Sequence, residues 1–303
     1  MTSGAAGVAS IPPDSAPTVD LHTHTTASDG SASPAGLVAQ AVAAGLAAVA
    51  LTDHDTIDGV SAARAAGAAS GVEVIPGIEL SANDGDQEVH LLGLHLTDVG
   101  PIASMLDELR GARHRRADAI VGVLRSVGVP VTLDAVLAEA GTGAVGRPHV
   151  ARALIAGGWV RDQREAFDRY LGAGRPANVA KQRLSIADAI DMVHRAGGVA
   201  VFAHPGRDGS RARLEALQAL GLDGVEVRHP SHSAEDVARL GALADHLGLV
   251  PSGGSDWHGA TEGPRVLGAL KVPATWAARQ AERALGYRTA VSDTWSSATA
   301  SHS

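Results

Sequence analysis

Short apolar runs, each closed by polar residues, recur along the chain. TVDLHTH (18–24), AAVAL (47–51), VEVIPGIEL (72–80) and EVHLLGLHL (88–96) read as strands. Between them, Ser33 and Pro34 stand in the order of a cap and a first helical turn ahead of an apolar helix, and DGVSAARAAGAAS (58–70) reads as a second helix. The same alternation returns after residue 185. SIADAIDMVHRAGG (185–198), ARLEALQALG (212–221) and AEDVARLGALADHLG (234–248) are helical, and VAVFAHP (199–205), VEVRHPSHS (225–233) and LVPSGGSDWHG (249–259) carry strands. A last helix spans roughly 276–286. Strands alternating with helices predict a parallel α/β architecture with its polar residues gathered at strand exits.

Between 101 and 184 the rhythm becomes helical throughout. PIASMLDELRGARHRRADAIVGVLRSVG (101–128), LDAVLAEAG (133–141), RPHVARALIAGG (147–158) and REAFDRYLG (164–172) predict an inserted helical subdomain. The expected organisation is a flexible tail at 1–17, a first α/β part at 18–100, the insertion at 101–184, a second α/β part at 185–292 and a flexible tail at 293–303.

No apolar run in the 303 residues approaches the length of a bilayer span, and the first 18 residues have neither a basic start nor a continuous apolar stretch. A cytoplasmic protein with no membrane partner is therefore expected. The absence of cysteine excludes disulfides, thiolate metal sites and a cysteine nucleophile. A net charge of −8 argues against a long duplex DNA partner, and leaves room for a short phosphorylated ligand where arginines converge. There is neither a Walker A pattern nor a GxGxxG start to a dinucleotide fold, so nucleoside triphosphate hydrolysis and hydride transfer have little support.

The strand exits hold the candidate chemistry. His22 and His24, at i and i+2, can share one face of an extended segment. SDWH repeats that spacing with Asp256 and His258, behind glycines that permit close backbone approach. Asp53, His54, Glu79, His90, His204 and His229 occupy the other strand ends. Imidazoles with carboxylates suit zinc, manganese or iron, and these residues outnumber the ligands of one tetrahedral ion, so two or three divalent ions are expected. Such a cluster activates water, polarises phosphoryl oxygens and stabilises a leaving oxygen. Asp53 and Asp55 also fit as strand-end and turn residues.

HTHTTASDG, LTDHDT, PGIELS, the HP pair at 204–205 and SDWHG together resemble the ordered motifs of the PHP (polymerase and histidinol phosphatase) family, over about residues 18–98 and 185–260. The resemblance implies a distorted seven-stranded β/α barrel with a three-metal site. It implies that His22, His24, Glu79 and Asp256 hold one ion, that Glu79, His90 and His204 hold a second, and that Asp29, His54 and His258 hold a third. Asp29 stands where many members carry histidine, which resembles the small-molecule and nucleotide phosphoesterase branch. RPHVAR and EVRHPSHS resemble stretches of that branch and imply substrate contacts or proton transfer for Arg147, His149 and His229, with Arg116 and Arg207 as further substrate contacts. The expected function is removal of the 3′-phosphate from nucleoside 3′,5′-bisphosphates, including 3′-phosphoadenosine 5′-phosphate, with 5′–3′ exonuclease action on short RNA as an accompanying activity. Histidinol-phosphate phosphatase and a non-catalytic metal- or nucleic-acid-binding module are the alternatives.

Overall fold

The computed structural model describes residues 16–85, 87–180 and 184–288. The expected tails, apart from Ala16 and Pro17, lie outside the described residues, as do residues 289–292 and Lys181, a residue near the insertion's return point.

Seven strands form the wall of a barrel: β1 (Thr18–Asp20), β2 (Ala48–Leu51), β3 (Glu73–Asp84), β4 (Gln87–Leu94), β6 (Val199–Phe202), β7 (Gly224–Arg228) and β8 (Val250–Gly253). Two-residue strands β5 (Leu184–Ser185) and β9 (Val272–Pro273) add to β3 and β1. The order is β8-β7-β6-β4-β3-β2-β1-β9. The ends of the wall approach where Leu21 N donates to Gly253 O at 3.1 Å. A Cβ on Gly254 would lie 2.4 Å from His22 N, so the close approach expected of LVPSGG requires glycine here.

The expected all-parallel arrangement is corrected at β4. It pairs antiparallel with both β3 and β6. The link from Asp84 to Gln87 is too short for the crossover that a parallel neighbour needs, so the chain must fold back as a hairpin. Strands β2, β6 and β8 are buried at every position, one face toward the barrel interior and the other toward helices.

The barrel's helices are α1 (Pro34–Ala43), α2 (Val60–Ser70), α7 (Ile186–Arg195), α8 (Arg211–Ala219), α9 (Ala234–Leu247) and α10 (Ala274–Ala284). Ser33 Oγ caps α1 by accepting from Gly36 N at 3.1 Å, as the Ser-Pro order predicts. The intervening helices are α3 (Ala103–Ser126), α4 (Leu133–Ala140), α5 (Arg147–Ala156) and α6 (Gln163–Ala166), which runs into a π-helical turn at Phe167–Leu171. They surround a core of their own, including Ile120, Leu124, Val136, Val150, Leu154 and Leu171. Among the described residues, no helix is long and apolar enough to cross a membrane.

The strand starts are fastened by Asp223. Its Oδ2 accepts from Ala200 N at 2.9 Å and lies 2.8 Å from His194 Nε2, and its Oδ1 accepts from Tyr287 Oη at 2.7 Å. The Tyr287 ring stacks on His194 at 3.9 Å. This ties the end of α10 to β6, β7 and α7 on the face opposite the strand exits. Burial alone would raise the Asp223 pKa, but the His194, Ala200 and Tyr287 hydrogen bonds hold it below its ordinary 3.8. A depressed carboxylate stabilises the fold above its unfolded pKa, and that contribution is lost as pH falls through the folded value. Asp223→Asn places an amide against the Ala200 N–H and is expected to cost about 1.5–3 kcal/mol. In denaturant melts the deficit against wild type should be constant above about pH 5 and shrink toward pH 3.

Candidate metal centre

The site grows out of the strand exits. Beyond β1 the chain stays extended, with Thr52 N donating to Thr23 O and His24 N to Trp257 O, so His22 and His24 project to the same side with ring centroids 5.2 Å apart. The next loop is organised by Asp53, which accepts from Thr25 N (2.7 Å), Thr25 Oγ1 (2.7 Å) and Ser28 Oγ (2.5 Å). This holds Asp29 so that its Oδ1 lies 3.3 Å from His258 Nε2 and its Oδ2 3.8 Å from His54 Nε2. A Cβ on Gly30 would sit 2.4 Å from His24 O, so this turn also needs glycine. Asp53 thus supports the centre by holding the loop, in keeping with the turn role open to it in the sequence.

Glu79 lies at the middle, 1 % exposed. Five imidazoles face its carboxylate: His90 Nδ1 at 2.8 Å, His54 Nδ1 at 2.9 Å, His204 Nε2 at 3.1 Å, His24 Nε2 at 3.2 Å and His22 Nε2 at 3.4 Å. Asp256 faces His24, His22 and His258 with Oδ1 (3.2, 3.5 and 3.5 Å), while Oδ2 meets His229 Nε2 at 3.4 Å and the Arg265 guanidinium. All nine expected metal-ligand residues are therefore brought together.

The structure groups them somewhat differently from the resemblance. Ligand atoms within 4.8 Å of one another come from His24, Asp29, His54 and His258; from His22, His24 and Asp256; and from His54, Glu79 and His90. His54 and His24 thus each stand between two groups, and His204, outside all three, faces Glu79 at 3.1 Å. A further group, His22, Glu226 and His229, contains a carboxylate the motifs did not disclose.

Glu226 is fully buried in β7. Its Oε1 lies 3.1 Å from His22 Nδ1 and its Oε2 accepts from His204 N at 2.6 Å. It orients His22, leaving Nε2 for the centre. Its sequence signal is a carboxylate inside the apolar run GVEVR, where an unpaired charge is not tolerated.

The donor set fits divalent ions on the structure's own terms. His22 Nε2, both ring nitrogens of His24, His54 Nδ1 and Glu79 Oε2 are buried and make no hydrogen bond. Buried polar atoms without partners are costly, and here they converge. Burial alone would lower the His24 pKa, yet Asp256 and Glu79 hold it up at about 10, and Glu79, Glu226 and Asp256 likewise raise His22 against its burial. Burial alone would raise the Glu79 pKa, but His54, His90 and His22 keep it well below the usual range. Clustered His, Asp and Glu residues thus form a site for one or more divalent ions.

A cleft of about 320 Å³ opens beside His90 and His204, lined also by Arg147, Phe202, Gln87 and Asp208. Arg147 leans over Phe167 and donates to Leu171 O at 3.3 Å. Arg116 Nε donates to Val179 O at 3.0 Å. His149 is buried, its Nδ1 accepts from Gly146 N at 2.9 Å, and burial, reinforced by Arg152, lowers its pKa to about 4. Arg207 is exposed and lines a different cleft with Ser231, Ser233 and Arg239. Arg228 and His232, flanking His229 in the sequence, turn elsewhere: Arg228 over Trp276, and His232 to Val227 O and Gly206 N.

A barrel whose strand exits converge on buried imidazoles and carboxylates defines a metal-dependent hydrolase. A model of the PHP domain matches residues 20–124. The chain is 38% identical over 257 residues to the 3′,5′-nucleoside bisphosphate phosphatase of Chromobacterium violaceum, covering 82% of this chain and 90% of that one. It is 37% identical over 247 residues to the 5′-3′ exoribonuclease Rnm of Escherichia coli, covering 79% and 84%. A solved structure from Bifidobacterium adolescentis, described as a metal-dependent phosphoesterase, superposes with a TM-score of 0.80 at 36% identity, over 90% of this chain and 98% of that one. The chain belongs to the PHP family of metal-dependent phosphoesterases.

Glu226→Gln tests the support of the centre without deleting any of the nine expected ligands. It should weaken Mn²⁺ binding by about 10- to 100-fold in calorimetric titration, with the far-ultraviolet dichroism of the fold retained.

Proposed function

We propose that this protein removes the 3′-phosphate from nucleoside 3′,5′-bisphosphates, including 3′-phosphoadenosine 5′-phosphate, and trims short RNA from its 5′ end. The observation that carries this reading is the Glu79-centred cluster opening onto a cleft that also holds Arg147. The Chromobacterium and Escherichia relatives support the nucleotide substrate class.

Two or three divalent ions, manganese, iron or zinc, are assigned to His22, His24, Glu79 and Asp256; to Glu79, His90 and His204; and to Asp29, His54 and His258. When bound, they supply Lewis acidity that activates water and neutralises the phosphoryl oxygens and the leaving oxygen. Glu79 and Asp256 each present two oxygens to several imidazoles and so set the spacing of the cluster.

Arg147 supplies a fixed positive fork for a phosphate entering the cleft beside His90 and His204. His229 contributes a hydrogen-bond donor. Ser231 N donates to its Nδ1 at 3.2 Å, so the proton of the neutral ring sits on Nε2, facing the centre at Asp256. Burial lowers its pKa, which keeps that ring neutral near pH 7. This arrangement suits a contact to phosphate or to the departing oxygen better than a metal ligand. His149, with Nδ1 engaged and its pKa low, supports the site by position. Arg116, within the insertion, is assigned to substrate binding, and exposed Arg207 to an outer contact with a longer substrate.

The test is phosphate release by metal-reconstituted protein from nucleoside 3′,5′-bisphosphate, 5′-monophosphorylated short RNA and histidinol phosphate. Turnover of the bisphosphate is expected, abolished in His22→Ala and Asp256→Asn. Turnover of histidinol phosphate alone would overturn the nucleotide assignment. A fully metal-loaded chain silent on every phosphoester would make it a binding module.

A further inference from the structure

The helical insertion grips two of the loops that carry the assigned ligands. Arg113, on α3, is buried against Asp55, with Nη2 at 2.6 Å and Nε at 2.8 Å from Oδ2. Asp55 follows His54 directly. Its Oδ1 accepts from Ser81 N at 2.8 Å and its own N donates to Glu79 O at 3.0 Å, which locks the His54 turn onto β3. Arg113 Nη1 also donates to Val145 O at 3.4 Å, two residues before Arg147.

The insertion meets the Asp29 loop just as closely. Ala144 N donates to Ala27 O at 2.8 Å, and a Cβ on Gly143 would lie 2.4 Å from Thr26 O. The ligands on either side of this seam, Asp29 and His54, belong with His258 to one corner of the centre.

Asp55 has a positive φ of 52°, a conformation that costs an L residue energy and needs support from its surroundings. Its carboxylate is 2 % exposed as a residue and receives the Arg113 guanidinium as its charged partner in the ion pair. Removing the guanidinium takes away both of its contacts to the Asp55 carboxylate, and turning Asp55 toward solvent would carry His54 with it.

We propose that Arg113 is a positioning residue that couples docking of the insertion to ion binding at the Asp29–His54–His258 corner. The proposal rests on the ligand assignment above. It means that the segment bearing Arg147 and the metal centre are set in place together, so the substrate's anchor and one of its ions share a single support.

The experiment is calorimetric titration of the metal-free chain with Mn²⁺, alongside ion content per chain by mass spectrometry. Arg113→Met should weaken one binding step by about tenfold or more and leave the remaining steps as in wild type. Arg113→Lys, which keeps the charge with a single nitrogen, should restore part of that loss. A folded Arg113→Met chain with every binding step unchanged overturns the proposal. Should Arg113→Met fail to fold, Arg113→Lys decides: a weakened step supports the coupling, and an unchanged titration overturns it. His54→Ala separates the two layers of the argument. If it leaves every step unchanged, the ligand assignment fails and the coupling with it. If it removes a step that the Arg113 variants leave intact, the coupling alone fails.

Discussion

The rest of the structure is arranged around one buried carboxylate. Glu79 sits 1 % exposed in the middle of the barrel mouth, and a charge taken out of water at such depth is tolerated only with compensating partners. Those partners come from β1, β2, β4 and β6, which is more than any single hairpin or helix could supply. A barrel is the economical way to bring four separate strands to one point. The short buried strands, the closing contact from Leu21 to Gly253 and the bare backbone at Gly254 all serve that convergence. The imidazoles stand as counter-charges to Glu79, and several of their buried ring nitrogens converge without a hydrogen-bond partner.

Much of this was legible in the sequence because period and polarity agree. Most histidines and carboxylates at the ends of strand-like runs stand at the mouth, and all nine expected ligands meet there. The direction of β4 was less visible in an alternating pattern, because the hairpin from Asp84 to Gln87 is a matter of linker length and not of strand content. Glu226 was hidden for a different reason. A lone carboxylate in an apolar strand carries no motif, and its partners, His22 and His204, are distant in sequence. ARHRR reads as a basic helical face, yet burial divides it: Arg113 is enclosed with Asp55, whereas His114 and Arg115 are exposed. Arg228 and His232 make the same point in reverse, since neighbours of His229 in sequence turn away from the centre in space.

The acidic chain also shows how little net charge says about a site. Its −8 is a sum over the whole chain, while arginines act singly at fixed places: Arg147 in the cleft, Arg113 in the seam and Arg265 on Asp256. A short anionic substrate responds to the local field in a cleft more than to the sum over the molecule. The two ends of the barrel divide the labour accordingly. Asp223 and Tyr287 fasten the strand starts with ordinary satisfied hydrogen bonds, and the strand exits keep the buried atoms that have no partners.

Backbone strain follows the same division. Among the described residues, five other than glycine have positive φ, and three of them lie at the mouth: Asp55 at 52°, His204 at 30° and Asp256 at 49°. Such conformations persist where neighbours over-determine them. Asp55 is held by Ser81 N and Arg113, and Asp256 by Arg265 and the imidazoles. His204 is held by Glu226, whose second oxygen accepts the His204 backbone N–H. One buried carboxylate therefore fixes the ring of His22 and the backbone turn of His204, two residues from different strands facing the same Glu79. The geometry of the centre depends on that shared support as much as on the ligands, because an imidazole at the right exit but in the wrong orientation cannot complete a site.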